Sequence, residues 1–486
     1  MKRVLLILLS VFIFSTLTAQ TDTEETVTAS KGGFAEVPAA KRPKSVDQKK
    51  AALAEQKDAG PDAMQKNRDI ILYGKSSEVA ALLDELIKND DPRFSEDIYD
   101  LFQETKNSSV KEKVLNYFKS FEDPCIEDYA VDLMNDPYDE KQNVVKAAFE
   151  YIAACKTKCA APAIITIIEG ENEAYFNDAI TTLAEIGGPQ EAMFLAEYLD
   201  RDDLSIPQRQ ALMRACGKMH AVETWGLLVE IIENEDENAF VRMYAAEAIG
   251  MMKVDKSVDV LVRNYDSVDP NFRQYIIKGL ANYPNNKEAV NVVTQGIKDD
   301  HWRVQQEAIK ACKEMNLTSA MPTLIHRAKN DNEKLIKNEC FSTIAYMNTS
   351  EGNKFLIEQL LDKKVADATK AKVVEVLVKE NHAGKKEIVM LAEETLADDK
   401  RKTLRYAIGK EIAKVSAPEY AGLCEKFLSS KDVQTISLGI DMYKTGKYKN
   451  AEAKLRQVAE DPKGNASCKK RASNLLGIDD SDKNAK

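Results

Sequence analysis

The sequence predicts an all-α protein: a right-handed α-solenoid, or superhelix, of about twelve helix-pair repeats with terminal caps. A twelve-residue pattern recurs four times between Val241 and Met347, and successive copies lie about 31 to 33 residues apart. Each copy places apolar or small residues along one face of an α-helix. Because the period is longer than one helix of three turns, every unit must contain a second element.

The amino terminus predicts export. Residues 1–19 begin with Lys2 and Arg3, continue with an apolar run of about 14 residues and end in small residues, as a signal peptide does. The run is shorter than the ~20 residues that span a bilayer, which favours cleavage over a retained anchor. We therefore expect no membrane span after signal cleavage and a location in the periplasm or cell envelope. Residues 20–62 are polar and predict a disordered tether.

The remaining chain divides into a cap, an array and a tail. Residues 63–107 give three helical stretches that do not fit one regular pair, which predicts an irregular helical N-terminal cap. Further copies of the pattern extend the array over residues 108–478. Residues 479–486 form a polar tail, so the last copy lacks a second helix and closes the array.

Second apolar runs at helical spacing lie between the copies, so each unit pairs a first helix with a second helix. Prolines mark the starts of second helices, where a missing N–H costs nothing: Pro162, Pro189 and Pro322. Glycines are expected just after first helices, where a left-handed residue is favoured: Gly187, Gly217 and Gly250.

The copy from Val241 to Met252, VRMYAAEAIGMM, resembles the HEAT repeat, most closely the short bacterial HEAT-like repeats of the phycobilisome-lyase type. The resemblance covers about three quarters of the chain. It implies a curved stack with first helices on the convex side and second helices on the concave side. It also implies that the chain binds proteins.

Charge and motif content narrow the function classes. The net charge of -11 and pI near 5.3 argue against a nucleic-acid partner. The charge is uneven, about -20 over residues 61–300 and about +7 over residues 301–486. No phosphate-binding loop or nucleophile motif is present, and the four histidines are never paired with a neighbouring glutamate. The sequence therefore predicts no catalytic residues, no metal site and no cofactor.

The eight cysteines mostly fall on the apolar stripes and are interpreted as small buried hydrophobes. Cys125, Cys155 and Cys159 lie close to one helix exit, and a disulfide among them stays open at this point.

The sequence places its candidate binding surface on the second helices. In successive units the outward position changes from acidic to basic and then to neutral residues, a gradient that would orient an extended partner. We call these six residues the second-helix row: Glu197, Glu230, Arg263, Gln295, His326 and Gln359.

These observations favour a non-catalytic periplasmic scaffold or adaptor that binds a partner protein along the concave face. A lyase-like enzyme or ligand carrier of the HEAT-like family is the alternative, and a structural component of the cell envelope is a second alternative.

Overall fold

A computed structural model describes residues 61–170, 174–201, 203–380 and 383–478. These residues form 26 α-helices, joined in places by short 3-10 turns, and contain no β-strand. The predicted all-α solenoid is confirmed. In chain order the helices are α1 Pro61–Tyr73, α2 Ser76–Lys88, α3 Ser95–Glu104, α4 Ser108–Ser120, α5 Glu127–Asn135, α6 Gln142–Cys155, α7 Ala161–Glu169, α8 Phe176–Ile186, α9 Pro189–Leu199, α10 Ile206–Lys218, α11 Trp225–Glu233, α12 Ala239–Met251, α13 Ser257–Arg263, α14 Pro270–Leu280, α15 Lys287–Gly296, α16 Trp302–Glu314, α17 Met321–Asn330, α18 Lys334–Met347, α19 Ser350–Leu361, α20 Asp367–Glu380, α21 Lys385–Ala397, α22 Lys402–Ile412, α23 Ala421–Leu428, α24 Val433–Gly446, α25 Glu452–Glu460 and α26 Ala466–Leu476.

Helices of even and odd number play different parts. From α4 onward the even helices are the predicted first helices, and each packs against the next even helix. The odd helices are the predicted second helices, and each packs against the even helix that follows it. In residues 63–107, α2 packs on α4 and α3 packs beside α4, as other even and odd helices do. The boundary between cap and array stays a prediction.

Left-handed backbone residues mark the ends of even helices. Among the residues that the structure describes, eight non-glycine residues have positive φ, and each follows an even helix: Asp90, Glu122, Lys156, His220, Lys253, Asn316, Asn348 and Lys447. A left-handed residue at this point lets following N–H groups bond to the last carbonyls of the helix. The amide of Asp91, for example, donates to Leu86 O at 2.9 Å. The exit after α2 thus has the same local structure as the exits after seven later even helices.

The glycine prediction was wrong. Gly217 and Gly250 lie inside α10 and α12, and Gly187 has φ -70°. Their neighbours explain two of the three positions. A Cβ on Gly250 would lie 2.3 Å from Gly279 Cα, and one on Gly217 would lie 2.9 Å from Ala248 Cα. These glycines therefore let the backbones of α10, α12 and α14 touch. The prolines do occur as predicted, in the first turns of α7, α9 and α17.

A basic residue often ties an even helix to the odd helix before it. Arg242 Nε donates to Ile232 O at 3.0 Å, and Lys370 Nζ donates to Leu360 O at 2.8 Å. Arg405 Nη1 donates to Thr395 O at 3.1 Å in the same way. Carbonyls at a helix end carry partial negative charge, so a cation there is stabilising. This contact explains the arginine that follows valine in the repeat pattern.

Three predicted segments lie outside the described residues: the signal peptide 1–19, nearly all of the tether 20–62 and the polar tail 479–486. Within the described ranges, none of the helices has the length and apolar character needed to cross a bilayer.

Candidate functional site

The structure places the second-helix row on six successive odd helices, α9 to α19. Glu197, Glu230, Gln295 and His326 are exposed, and Gln359 is partly buried. Arg263 is exposed but paired with Glu233 on the preceding odd helix. The Nδ1 atom of His326 lies 3.2 Å from the side-chain amide nitrogen of Asn330. The row is therefore available to solvent at most of its members, and its binding role stays a prediction.

A different surface lies on the outer face of the even helices. The first part is a hollow of about 430 Å³ between α8, α10 and α12. Its floor contains the small or apolar side chains of Ala184, Ala211 and Met251. Polar and charged side chains also line it: Asn177, Gln210, Arg214, Lys218 and Glu247.

The second part is a hollow of about 460 Å³ between α12, α14 and α16. Four aromatic side chains line it, and two of them are strongly exposed, Phe240 at 57% and Trp302 at 42%. Tyr244 and Tyr275 meet edge to face with ring centroids 5.6 Å apart. Met243 and several amide and basic side chains complete the lining: Asn271, Gln274, Arg303 and Gln306.

The two hollows lie next to each other on either side of α12. Arg214 lines the first hollow, and its guanidinium lies 5.6 Å from the ring centroid of Tyr244 in the second. We call the two hollows together the first-helix groove. It crosses five successive even helices, from α8 to α16.

A buried carboxylate holds the groove together. The Glu247 side chain is 8% exposed and receives Lys278 Nζ from α14 at 2.6 Å and Arg214 from α10 at 3.4 Å. One acidic residue thus connects three even helices. Farther along, Glu185 on α8 pairs with both Lys156 and Lys218. Burial raises the pKa of Glu185, but the hydrogen bonds from these lysines outweigh burial and hold the pKa below its usual value.

The cysteines are free thiols in the structure, including Cys125, Cys155 and the exposed Cys159. Cys216, Cys312, Cys340 and Cys424 are fully buried, as their interpretation as small hydrophobes predicts. Burial raises the pKa of the Cys155 and Cys216 thiols to about 12, so both stay protonated and unreactive near neutral pH. In the described ranges, no group of three or more His, Cys, Asp or Glu side chains is arranged to hold a metal ion.

The family model of the spirochaete HEAT repeat protein matches residues 71–475. The chain belongs to this family. The resemblance to HEAT repeats predicted by the sequence is thereby confirmed, and the match includes most of the helical residues from α1 to α26. No match is found among curated proteins.

Solved structures show similarity in fold to this HEAT array. The CpcE and CpcF complex of phycocyanin lyase from Nostoc sp. is 15% identical, over 45% of this chain and 87% of that chain, with TM-score 0.31. Karyopherin Kap121p is 10% identical, over 88% of this chain and 54% of that chain, with TM-score 0.40. Human deoxyhypusine hydroxylase in complex with glycerol is 15% identical, over 54% of this chain and 97% of that chain, with TM-score 0.25. These similarities concern the fold alone.

The groove could not be predicted from the sequence with the same ease, because aromatic residues on or beside an apolar stripe are usually part of the core. One signal was present: Tyr244 and Tyr275 occupy the fourth position of consecutive pattern copies, which is off the apolar stripe. Equal positions in neighbouring repeats become neighbours in space, so an off-stripe aromatic pair predicts a surface cluster.

Proposed function

We propose that this HEAT-repeat chain is a non-catalytic scaffold that binds a partner protein in the first-helix groove. One observation supports this most directly: large aromatic side chains line one surface on three successive even helices, with Phe240 and Trp302 exposed and Tyr244 and Tyr275 partly buried. Exposed apolar clusters with a polar rim are typical of protein-binding surfaces, and Trp, Tyr and Arg are the residues most often enriched at their energetic centres.

The groove is tested by capturing partners from extracts of the source cells. The bait is the purified chain, compared with the double variant Phe240→Ser and Trp302→Ser. We expect the groove variant to lose the partners that the wild type retains. The matched control is Tyr73→Ser with Tyr138→Ser, since both tyrosines are strongly exposed but lie on other parts of the surface. Equal recovery with wild type and groove variant would rule out this site.

The second-helix row is a second candidate surface, because exposed members recur on successive odd helices and their charge changes along the array. The double variant Glu197→Lys and Glu230→Lys reverses its acidic end. If this variant fails to capture the partner while the groove variant captures it normally, the binding site is the second-helix row and not the groove.

We propose further that the chain acts outside the cytoplasm, in the periplasm or cell envelope. The support is the signal-like segment 1–19 of the sequence. Export predicts that the mature protein begins after Ala19, which amino-terminal sequencing of protein from the source cells checks. The ligand-carrier alternative predicts a coloured or metal-containing native sample, and a colourless, metal-free one would reject it.

A further inference from the structure

We propose that the first-helix groove takes an extended acidic segment of the partner, anchored by one large apolar side chain. This rests on the proposed scaffold function and adds the chemistry of the partner. It follows from the charge that solvent can reach, from the aromatic hollow and from the length of the groove.

The accessible charge of the groove is basic, although the surrounding part of the chain is acidic. Among the lining residues, Arg214, Lys218 and Arg303 are basic and Glu247 is the one carboxylate. Glu247 is nearly closed off, at 8% side-chain exposure, whereas Arg214 is 46% exposed and Lys218 is 43% exposed. A ligand entering the groove therefore meets the exposed cations Arg214 and Arg303, together with Lys218, which is already paired with the Glu185 carboxylate at 26% side-chain exposure. Because residues 61–300 carry about -20 in total, this basic strip is a local reversal that selects for acidic groups.

Arg303 is placed to meet such a group beside the aromatic hollow. Its guanidinium lies 5.3 Å from the Trp302 ring centroid, and its Nη1 donates to Asn271 Oδ1 at 2.9 Å. Those neighbours are uncharged, so they hold the guanidinium in place without neutralising it. A planar, oriented guanidinium can bind a carboxylate through two parallel hydrogen bonds.

The aromatic hollow supplies the anchor site. Phe240 and Trp302 stand on its two sides, and Tyr244 and Tyr275 lie between them. A large apolar side chain placed there would cover ring surface that water now contacts, and this burial favours binding. An acidic segment without such a side chain would leave the exposed rings in water.

The shape of the groove favours extended chain. Neighbouring packed helices are about 8–10 Å apart, so five even helices span roughly 32–40 Å. At about 3.3 Å per residue, an extended segment of about ten to twelve residues fits this length. Amide side chains recur along the groove, at Asn177, Gln210, Gln274 and Gln306. Amides both donate and accept hydrogen bonds, which suits them to the main chain of an extended peptide.

The test uses fluorescein-labelled synthetic peptides of about twelve residues and the complete mature chain, with binding followed by fluorescence anisotropy. One peptide is acidic with a central Trp, and the second replaces that Trp with Ser. The third replaces the acids with amides, and the fourth replaces them with Lys. We expect the first to bind at least about tenfold more tightly than each of the others, and its affinity to fall as salt is added.

The variant Lys218→Glu with Arg303→Glu reverses two rim charges. It also breaks the ion pair of Lys218 with Glu185, but it leaves the buried Glu247 cluster intact. It should weaken binding of the acidic Trp peptide about tenfold or more. The matched control is Lys354→Glu with Lys386→Glu, which reverses two exposed lysines on odd helices and should bind as wild type. Circular dichroism confirms that each variant is folded.

Equal binding of acidic and basic peptides, or no effect of rim reversal, would overturn the acidic-segment inference. The scaffold proposal fails separately, when partner capture is unaffected by Phe240→Ser with Trp302→Ser. Capture that depends on these aromatic residues but not on Lys218 and Arg303 would retain the scaffold and reject the acidic ligand.

Discussion

In the middle of the array, glycines let neighbouring even helices contact each other backbone to backbone. Glycines on the odd helices instead face side chains or open space. Gly250 on α12 lies against Gly279 of α14, but a Cβ on Gly226 of α11 would meet nothing within 4 Å. Ion pairs follow the same division. Glu185 and Glu247 each connect consecutive even helices, while the odd helices carry more isolated pairs such as Arg263 with Glu233. Close packing at the even helices thus creates a continuous surface, and the odd helices present a looser one.

The sharpest test of this packing difference adds one methyl group to an even helix and, separately, one to an odd helix. Gly250→Ala places a Cβ 2.3 Å from Gly279 Cα, where only a backbone shift can relieve the clash. We expect a loss of about 3 kcal/mol in the free energy of unfolding. Gly226→Ala is the matched control and should stabilise by about 0.5 kcal/mol through helix propensity. Urea unfolding followed by circular dichroism measures both, and equal effects would contradict the proposed packing difference.

A second test concerns Asp299, which joins an even helix to the end of an odd one. Arg273 donates to both its carboxylate oxygens, at 2.8 and 2.9 Å, and Tyr265 OH lies at 3.3 Å. Burial raises the pKa of Asp299, but these hydrogen bonds outweigh it and hold the pKa below its ordinary 3.8. The stabilisation is therefore present above pH 3.8 and is lost as pH falls through the lower folded value.

Asp299→Asn should cost about 2 kcal/mol near neutral pH, because it leaves the Arg273 charge partly buried and unpaired. The stability difference between wild type and variant should shrink as the sample is acidified below pH 4 or so. Unfolding curves across this range check the sign. A constant difference at all pH values would show that the carboxylate charge is not responsible.

Arg242 allows a test, with a smaller expected effect, of how an even helix is connected to the odd helix before it. Its guanidinium donates to Ile232 O at the end of α11 and lies 4.6 Å from the Phe272 ring centroid of α14. Arg242→Ala should destabilise by about 1–2 kcal/mol through loss of both contacts. Arg242→Lys keeps the charge and should recover part of that loss. If Lys is no better than Ala in urea unfolding, the helix-end contact is not electrostatic.

The sequence was sufficient for the fold because apolar periodicity reports which face of each helix is buried. Val241 and Phe272 open consecutive pattern copies, and both are buried in the structure. The roles of Gly217 and Gly250 could not be predicted in the same way. A glycine that ends a helix and one that admits another backbone look alike in sequence, and only the neighbouring helix distinguishes them.

The candidate surface was harder to predict for a related reason. Aromatic residues on or beside an apolar stripe look alike in sequence whether they are core or surface residues: Tyr117 is fully buried, whereas Trp302 is exposed. The exposure of the second-helix row could be predicted from the phase of the apolar pattern in each odd helix, and most of its residues are exposed as that phase predicts. Whether a partner contacts it depends on the partner, which periodicity does not describe.

The backbone contact between Gly250 and Gly279 also has a mechanical meaning. Touching backbones cannot be compressed, whereas side chains between odd helices can change rotamer and let those helices separate or approach. Thermal bending of the array should therefore change the distances between neighbouring odd helices more than the distances between α10, α12 and α14. A long ligand lying on the even helices would therefore contact side chains of successive repeats at a constant spacing.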